Sequence, residues 1–192
     1  MPTVYKYFRE FTALDADRLG VLKKILSLYS LPFSMVPIED SLHIFISPDI
    51  ASAVKSGGTC VLIAHYDRVP GSPGANDNSA AVFQLIEAAV RLCREQKDGW
   101  LIIFTDKEEI APEGSIRDQG SYGLGKILYE IGVRGGLFYI FDACGTGDTL
   151  VISTTVDYLL KDKDGKDIKP LALDKRRDGS GKPLSGIPVR EW

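Results

Sequence analysis

The sequence predicts an α/β fold, a three-layer sandwich in which helices cover both faces of a mixed, mainly parallel sheet. Three continuous apolar runs, at 59–65, 100–105 and 137–142, are typical of strands that are buried on both faces. Helical patterns lie between these runs. Strands that alternate with helices form right-handed crossovers, and such crossovers build a parallel sheet between two layers of helices.

The first third of the chain predicts a helix followed by a strand. Leucines and Tyr29 recur at intervals of three or four residues over 15–30, so a helix is expected there, with Asp15 as its cap. Pro32 ends this pattern, since proline cannot continue a helix. Alternating apolar residues over 41–47 then predict a half-buried strand.

Two helices are predicted between the three apolar runs. Apolar residues from Val82 to Cys93 form one stripe of an amphipathic helix. A shorter helix is expected over 122–131, before the third buried strand. A further strand-like stretch occupies 150–160, and the remainder of the chain is basic and rich in glycine and proline.

Composition narrows the class of protein. The chain has 192 residues, of which 44% are hydrophobic and 26% charged, and this composition excludes intrinsic disorder. The net charge of −3 argues against nucleic-acid binding, and no apolar run approaches the roughly 20 residues of a membrane span. Three scattered cysteines and no recognisable secretory signal lead us to expect a reducing, cytoplasmic location.

Acidic and imidazole side chains follow each of the three buried strands. Ligands of an open parallel sheet bind beyond the carboxyl ends of its strands, so these side chains should meet at one edge. One imidazole with several carboxylates is a ligand set that suits zinc or another divalent ion. The candidates are His65, Asp67, Asp77, Glu108, Glu109 and Asp142.

Spacing suggests how these candidates divide the chemistry. His65 and Asp67 are two residues apart on an extended backbone, so one can bind a metal while the other orients it. Glu108 and Glu109 are adjacent and point in different directions, so one can be a ligand and the other a base. Asp77, in the loop after the first buried strand, is placed to bridge two metal ions.

This series of motifs resembles that of the M28 zinc aminopeptidases, over roughly residues 55–155. The resemblance rests on four motifs in the same order, namely His65-Tyr-Asp67, Gly74-Ala-Asn-Asp77-Asn, Glu108-Glu109 followed by Gly114-Ser115, and Asp142. It implies the phosphorylase/hydrolase-like sandwich of that family. It also implies a single zinc-peptidase-like catalytic domain over 1–192 and an enzyme that removes N-terminal residues from peptides.

The resemblance also implies a role for each residue. Four residues would bind one or two zinc ions, namely His65, Asp77, Glu109 and Asp142. His65 and Asp142 would hold one zinc ion and Glu109 the other, while Asp77 would bridge the two. Glu108 would be the general base that acts on water, and Asp67 would orient His65. The expected partner is a peptide or aminoacyl substrate, without nucleic acid or membrane.

One feature departs from the family. M28 enzymes complete their second zinc site with a histidine near the C-terminus, whereas no histidine follows His65 here. The ending Ser185–Trp192 resembles the family's late Gly-Ile-Pro strand, so we expect the chain to lack the segment that carries this ligand. Cys144, two residues after Asp142, could offer a thiolate, although a small buried side chain is the more ordinary role. The alternative function is therefore a catalytically impaired or one-metal relative that binds peptides or amines.

Three other signals have ordinary explanations. The stretch 120–126 fits Gly-x4-Gly-Lys, but Ile127 replaces the required Ser or Thr and no buried strand precedes it. The acidic turn at 162–165 has its glycine too early for a calcium-binding loop, and an Asp-Gly hairpin turn explains it better. His43 lies within an alternating strand and is expected to be a surface or core residue.

Overall fold

The computed structural model describes six stretches of the chain, 4–55, 58–109, 114–131, 137–144, 150–152 and 189–191. The chain divides into two compact units, 1–145 and 146–192. In the first unit, the helices are α1 (Phe8–Thr12), α2 (Arg18–Leu28), α3 (Ile50–Lys55), α4 (Ala80–Arg94) and α5 (Gly120–Glu130). Short 3-10 turns lie at Val4–Tyr7 and Ile116–Asp118. The prediction of one domain over 1–192 stays a prediction.

A mixed sheet forms the middle layer of the first unit. Its strands are β1 (Phe33–Ile38), β2 (Ser41–Ile46), β3 (Cys60–His65), β4 (Trp100–Thr105) and β5 (Leu137–Ile140). They lie in the order β1-β2-β4-β3-β5. β3 pairs in parallel with both β4 and β5, whereas β2 pairs in antiparallel fashion with β1 and β4. The predicted α/β fold with a mixed sheet is confirmed.

β4 shows why this is a three-layer structure. All six of its residues are buried. Ile102 and Phe104 face a core that is shared with α2 and α4, while Leu101 and Ile103 face a second core shared with α3 and α5. Because each such side chain contributes about 1.5–3 kcal/mol when fully buried, the sheet is stabilised from both faces. The two layers of helices hold the strand ends, and the groups attached to them, in fixed positions.

The structure refines several sequence predictions. The strand predicted at 100–105 has the observed bounds of β4. The cap predicted for α2 was wrong, because Asp17 caps this helix by accepting a hydrogen bond of 3.0 Å from the Gly20 N–H. The sequence analysis missed β1, an edge strand that contains Pro37, since an edge strand needs little apolar periodicity.

The second unit contributes two short described strands. β6 (Leu150–Ile152) pairs in parallel with β7 (Val189–Glu191). β6 lies at the start of the strand-like stretch predicted at 150–160, and the rest of that stretch lies outside the described residues. The acidic turn at 162–165 lies outside them as well.

Candidate metal centre

The predicted site residues converge at the carboxyl edge of the three parallel strands. β3 and β4 pair in register, so that His65, the last residue of β3, lies opposite Thr105, the last residue of β4. Glu108 follows Thr105 by three residues, and Asp142 follows the end of β5 by two. The parallel pairing therefore brings segments that are distant in sequence to one edge of the sheet.

One nitrogen of His65 faces the carboxylate that was predicted to orient it. Nδ1 lies 3.3 Å from Asp67 Oδ1. The other oxygen of Asp67 accepts a hydrogen bond of 2.9 Å from the backbone N–H of Glu109. Asp67 thus joins the end of β3 to the segment that carries the glutamate pair. This contact is the arrangement expected of a carboxylate that fixes an imidazole for metal binding.

The other nitrogen of His65 faces three carboxylates. Nε2 lies 2.9 Å from Asp77 Oδ1, 3.5 Å from Asp142 Oδ1 and 4.0 Å from Glu108 Oε2. The side chain is only 4% exposed, and among the described residues Nε2 has no hydrogen-bond partner. A buried polar atom that makes no hydrogen bond is uncommon in a folded protein, and metal binding is one of its ordinary explanations.

Two groups of ligand atoms fit a divalent cation. In the first group, His65, Glu108 and Glu109 have ligand atoms within 4.8 Å of one another. In the second, His65, Asp77 and Asp142 meet the same limit. One imidazole nitrogen with carboxylate oxygens is a donor set that zinc accepts. The donor chemistry and the Nε2 atom, which faces carboxylates without making a hydrogen bond among the described residues, therefore fit the metal that the sequence predicts. All four predicted ligands belong to at least one of the two groups.

The pKa values of His65, Glu108 and Glu109 are shifted by burial and by the negative charges that surround them. Burial lowers the pKa of His65, but the surrounding carboxylates of Asp142, Asp67 and Glu108 outweigh it and raise that pKa to about 10. Burial raises the pKa of Glu108 and of Glu109, and their acidic neighbours add to the effect. So many carboxylates around one imidazole favour a positive charge at this place, whether a proton or a metal ion supplies it.

Gln119 is a functional candidate that the sequence analysis missed. It lies at the start of α5, and its side-chain amide donates hydrogen bonds to two oxygens of Glu108, the backbone oxygen at 3.1 Å and Oε1 at 3.2 Å. The amide therefore orients the carboxylate that was predicted to be the base. No sequence signal could have found it, because eleven residues and a turn separate the two.

Asn78 fixes the loop residue Asp77 relative to the end of β5. Its side chain is buried, and Nδ2 donates a hydrogen bond of 2.8 Å to the backbone oxygen of Phe141. Phe141 immediately precedes Asp142, so this contact holds the two acidic residues of the second group near each other. The motif that contains Asn78 marked the loop in the sequence, but only the fold reveals its partner.

A cavity of about 350 Å³ opens beside the acidic cluster. Its polar side includes His65, Glu108 and Asp142, and its apolar side is formed mainly by β5 and α5. The apolar residues are Ile63, Leu124, Leu128, Phe138, Ile140 and Phe141. The cavity joins the acidic edge of the sheet to a space that can accept an apolar group.

Other candidates do not join the cluster. Among the described residues, Cys144 belongs to neither ligand group, and its thiol lies 3.3 Å from the backbone oxygen of Asp142. His43 is fully buried elsewhere in the sheet, as expected of a core residue. The glycine-rich stretch 120–126 lies within α5 and follows no strand directly, so it is not a phosphate-binding loop.

A family model agrees with the geometry of this edge. The model of peptidase family M28 matches residues 50–148, which include all six site candidates. The chain belongs to peptidase family M28. This family is generally zinc-dependent, and the described residues of this M28 protein include groups that could hold a metal ion.

Solved structures share the fold of this M28 protein at low sequence identity. The aminopeptidase LapA of Legionella pneumophila is 21% identical with a TM-score of 0.60, over 98% of this chain and 52% of that one. A Macrostomum lignano glutaminyl cyclase is 19% identical with a TM-score of 0.55, over 79% and 55%. An Acidobacteriales bacterium glutaminyl cyclase is 17% identical with a TM-score of 0.58, over 98% and 77%.

The solved structures that share this fold belong to longer chains. The M28 chain spans about half the length of the first two structures. A search of curated protein sequences found no significant match. Family and fold together support a peptidase-like hydrolase. Within the part of the chain that the structure describes, no helix is long and apolar enough to cross a membrane.

Proposed function

We propose that this M28 protein is a zinc-dependent aminopeptidase that removes N-terminal residues from peptides. The observation that carries the proposal is the buried Nε2 of His65, which faces the carboxylates of Asp77 and Asp142 at 2.9 and 3.5 Å without a hydrogen-bond partner among the described residues. His65, Asp77, Glu109 and Asp142 would hold one or two zinc ions. A bound zinc ion polarises a scissile carbonyl and lowers the pKa of water.

Glu108 is the proposed general base. Its raised pKa, which burial and the neighbouring acids cause, places this carboxylate closer to the pH at which a base works well. Glu108 accepts a proton from the attacking water while the carbon–oxygen bond forms. It then donates that proton to the leaving amine as the carbon–nitrogen bond breaks. Gln119 holds the carboxylate for both transfers.

The substrate is proposed to be a peptide or aminoacyl compound. The carboxylates at the edge can attract a protonated α-amino group, and the apolar side of the neighbouring cavity can accept a side chain. Nucleic acid and membrane are not proposed as partners, because the net charge is −3 and the cluster itself is acidic. A cytoplasmic location stays a prediction from the sequence.

The experiment compares Glu108→Gln with the wild type after purification without chelator. We expect zinc in both proteins and hydrolysis of aminoacyl p-nitroanilides that falls about 10²- to 10⁴-fold in the variant, which is the range typical of a general base. Glu130→Gln, at an exposed position at the end of α5, is the matched control and should retain full activity. Unchanged turnover in the Glu108 variant would remove that residue from the role of base.

A one-metal relative that binds peptides or amines is the second candidate. The observation that favours it is that both ligand groups share the same imidazole, that of His65. One zinc ion per chain with peptide binding but no hydrolysis would support this candidate over the aminopeptidase. Because two similar structures are glutaminyl cyclases, the assay should include a peptide with N-terminal glutamine.

A further inference from the structure

A buried arginine lies next to the loop that carries two of the acidic site residues. Arg18 is the first residue of α2 and is only 7% exposed. Its guanidinium lies 4.1 Å from the ring centre of Phe11, a residue of α1. Because arginine is seldom buried to this extent, its contacts indicate what it does.

The guanidinium binds both flanks of the loop between β3 and α4. Nε donates a hydrogen bond of 2.5 Å to the backbone oxygen of Tyr66, which lies between His65 and Asp67. Nη1 donates a longer hydrogen bond of 3.4 Å to the backbone oxygen of Pro73, four residues before Asp77. The side chain of Arg18 thus contacts the loop both at its beginning, at Tyr66, and shortly before Asp77, at Pro73.

Gly74 makes room for this contact. A Cβ atom at Gly74 would lie 2.8 Å from Arg18 Nη1, closer than real Cβ atoms come to other atoms. The residue also has a φ of +55°, a backbone conformation that favours glycine. The same Cβ atom would also lie 2.8 Å from the backbone oxygen of Asp77, so the absence of a side chain at Gly74 leaves space for both the guanidinium and the backbone of Asp77.

Fold stability alone is a poor reason to bury this charge. Burial lowers the pKa of Arg18 to about 10, and the nearby Arg68 adds to the effect, while Asp67 and Asp77 oppose it. Arg18 therefore remains charged at neutral pH, and among the described residues its Nη2 has no hydrogen-bond partner. Because burying a charge costs free energy, the hydrogen bonds that Arg18 donates to the loop account for its position better than core stability does.

We propose that Arg18 is a positioning residue for the metal centre: it fixes the loop from Tyr66 to Gly74 and thereby sets Asp67 and Asp77 around His65. The inference rests on the proposed function, because it assigns the loop to a metal centre. Arginine suits this task better than lysine, since its planar group presents donors in fixed directions to two separate carbonyl groups.

The test uses Arg18→Lys and Arg18→Met in the full chain. Lysine keeps the positive charge but lacks the planar group with several donors. Methionine keeps an apolar side chain of similar length without the charge. Lys24→Met is the matched control, because Lys24 is an exposed cation of the same helix that lies 5.3 Å from the ring centre of Tyr7. Three quantities are measured: thermal unfolding, zinc affinity by competition with a chelator, and hydrogen exchange of the amides over 67–79 without metal.

We expect both Arg18 variants to fold, to exchange the amides over 67–79 at least about tenfold faster than wild type, and to bind zinc at least about tenfold more weakly. Lys24→Met should match the wild type in hydrogen exchange and zinc affinity, and its unfolding temperature should fall only slightly, because it loses an exposed ion pair with Glu10. Wild-type exchange and zinc affinity in the methionine variant would overturn the proposal, and so would faster exchange with unchanged zinc affinity. If the methionine variant does not fold, the same criteria apply to the lysine variant.

The failure of the proposed function would look different. A wild-type protein that binds no zinc would overturn the metal-dependent function. The metal-free exchange experiment would still decide whether Arg18 fixes the loop, with faster exchange in the variants supporting that part and unchanged exchange overturning it.

Discussion

Two buried histidines in the same sheet have opposite surroundings. His43, on β2, is fully buried, and its two ring nitrogens meet groups that suit a neutral ring. Nε2 lies 3.2 Å from the hydroxyl of Ser41, which donates its own proton to the backbone oxygen of Ile38. Nδ1 accepts a hydrogen bond of 3.4 Å from the backbone N–H of Asp106. The single ring proton therefore lies on Nε2 and is donated to Ser41, and the contact at Nδ1 leaves no room for a second proton.

His65, at the end of β3, is buried almost as deeply but has carboxylates beside both nitrogens. Burial lowers the pKa of His43, and the Asp106 carboxylate only partly opposes it. At His65 the carboxylates prevail, and its pKa rises to about 10. Burial is thus common to both residues, and the arrangement of the acids decides which one attracts a cation. We expect His43 to act in stability and His65 in chemistry.

The largest expected effect separates the two histidines directly. His65→Asn should lose zinc binding and hydrolysis by more than about 100-fold, because residues that merely support a ligand already account for about 10- to 100-fold. His43→Asn should bind zinc like the wild type while its unfolding temperature falls. Zinc titration and thermal unfolding of the two variants check this. Equal zinc affinities in the two variants would contradict the contrast.

The next effect concerns the carboxylate beside His65. Asp67→Asn keeps the size of the side chain but removes the charge that faces Nδ1 at 3.3 Å. We expect zinc affinity to fall about 10- to 100-fold, as is typical when such a partner is lost. Competition with a chelator measures it. Asp49→Asn, at an exposed position before α3, is the control and should leave the affinity unchanged.

A smaller effect is expected at Gln119. Gln119→Ala removes the two hydrogen bonds to Glu108, and one such bond contributes about 0.5–1.5 kcal/mol, or roughly two- to tenfold in rate. We expect kcat to fall within that range while KM and zinc content stay the same. In the background of Glu108→Gln the same change should have no further effect, and an undiminished effect there would show that Gln119 acts elsewhere.

The smallest effect is the pH dependence of stability that His43 causes. Its pKa is about 6.5 when unfolded and lower when folded, so below pH 6.5 the unfolded chain binds a proton that the folded chain excludes. The free energy of unfolding should therefore decrease as the pH falls from about 6.5 towards the folded pKa. Denaturant unfolding at several pH values measures this slope, which should be weaker in His43→Asn. Equal slopes in the wild type and in His43→Asn would show that protonation of His43 does not contribute to the pH dependence of stability.

The sequence predicted the central part of the fold because its signals are local. The buried strands appear as uninterrupted apolar runs, and β4 agrees with its predicted bounds. The placement of His65 and Asp142 at one edge follows from the parallel pairing that such runs favour. Where competing local signals existed, the prediction was less accurate: both Asp15 and Asp17 precede α2, and only the observed backbone shows that Asp17 is the cap.

The candidate site was predictable in its residue types and only partly in its contacts. His65 and Asp67 are near neighbours in sequence, so their contact follows from the extended strand. In contrast, Arg18 contacts the backbone of Tyr66 across 48 residues, and Asn78 contacts that of Phe141 across 63. Such pairs leave no pattern in a single sequence, because the register of whole elements determines whether they meet.

The sequence alone therefore determined the α/β class and the acidic edge, since apolar periodicity and residue chemistry act over short distances. The tertiary structure decided which histidine lies among carboxylates, which amide orients Glu108, and which cation holds the loop before Asp77. The physical reason is that electrostatic and hydrogen-bond energies depend on distance in space. Only the packing of helices against both faces of the sheet sets those distances.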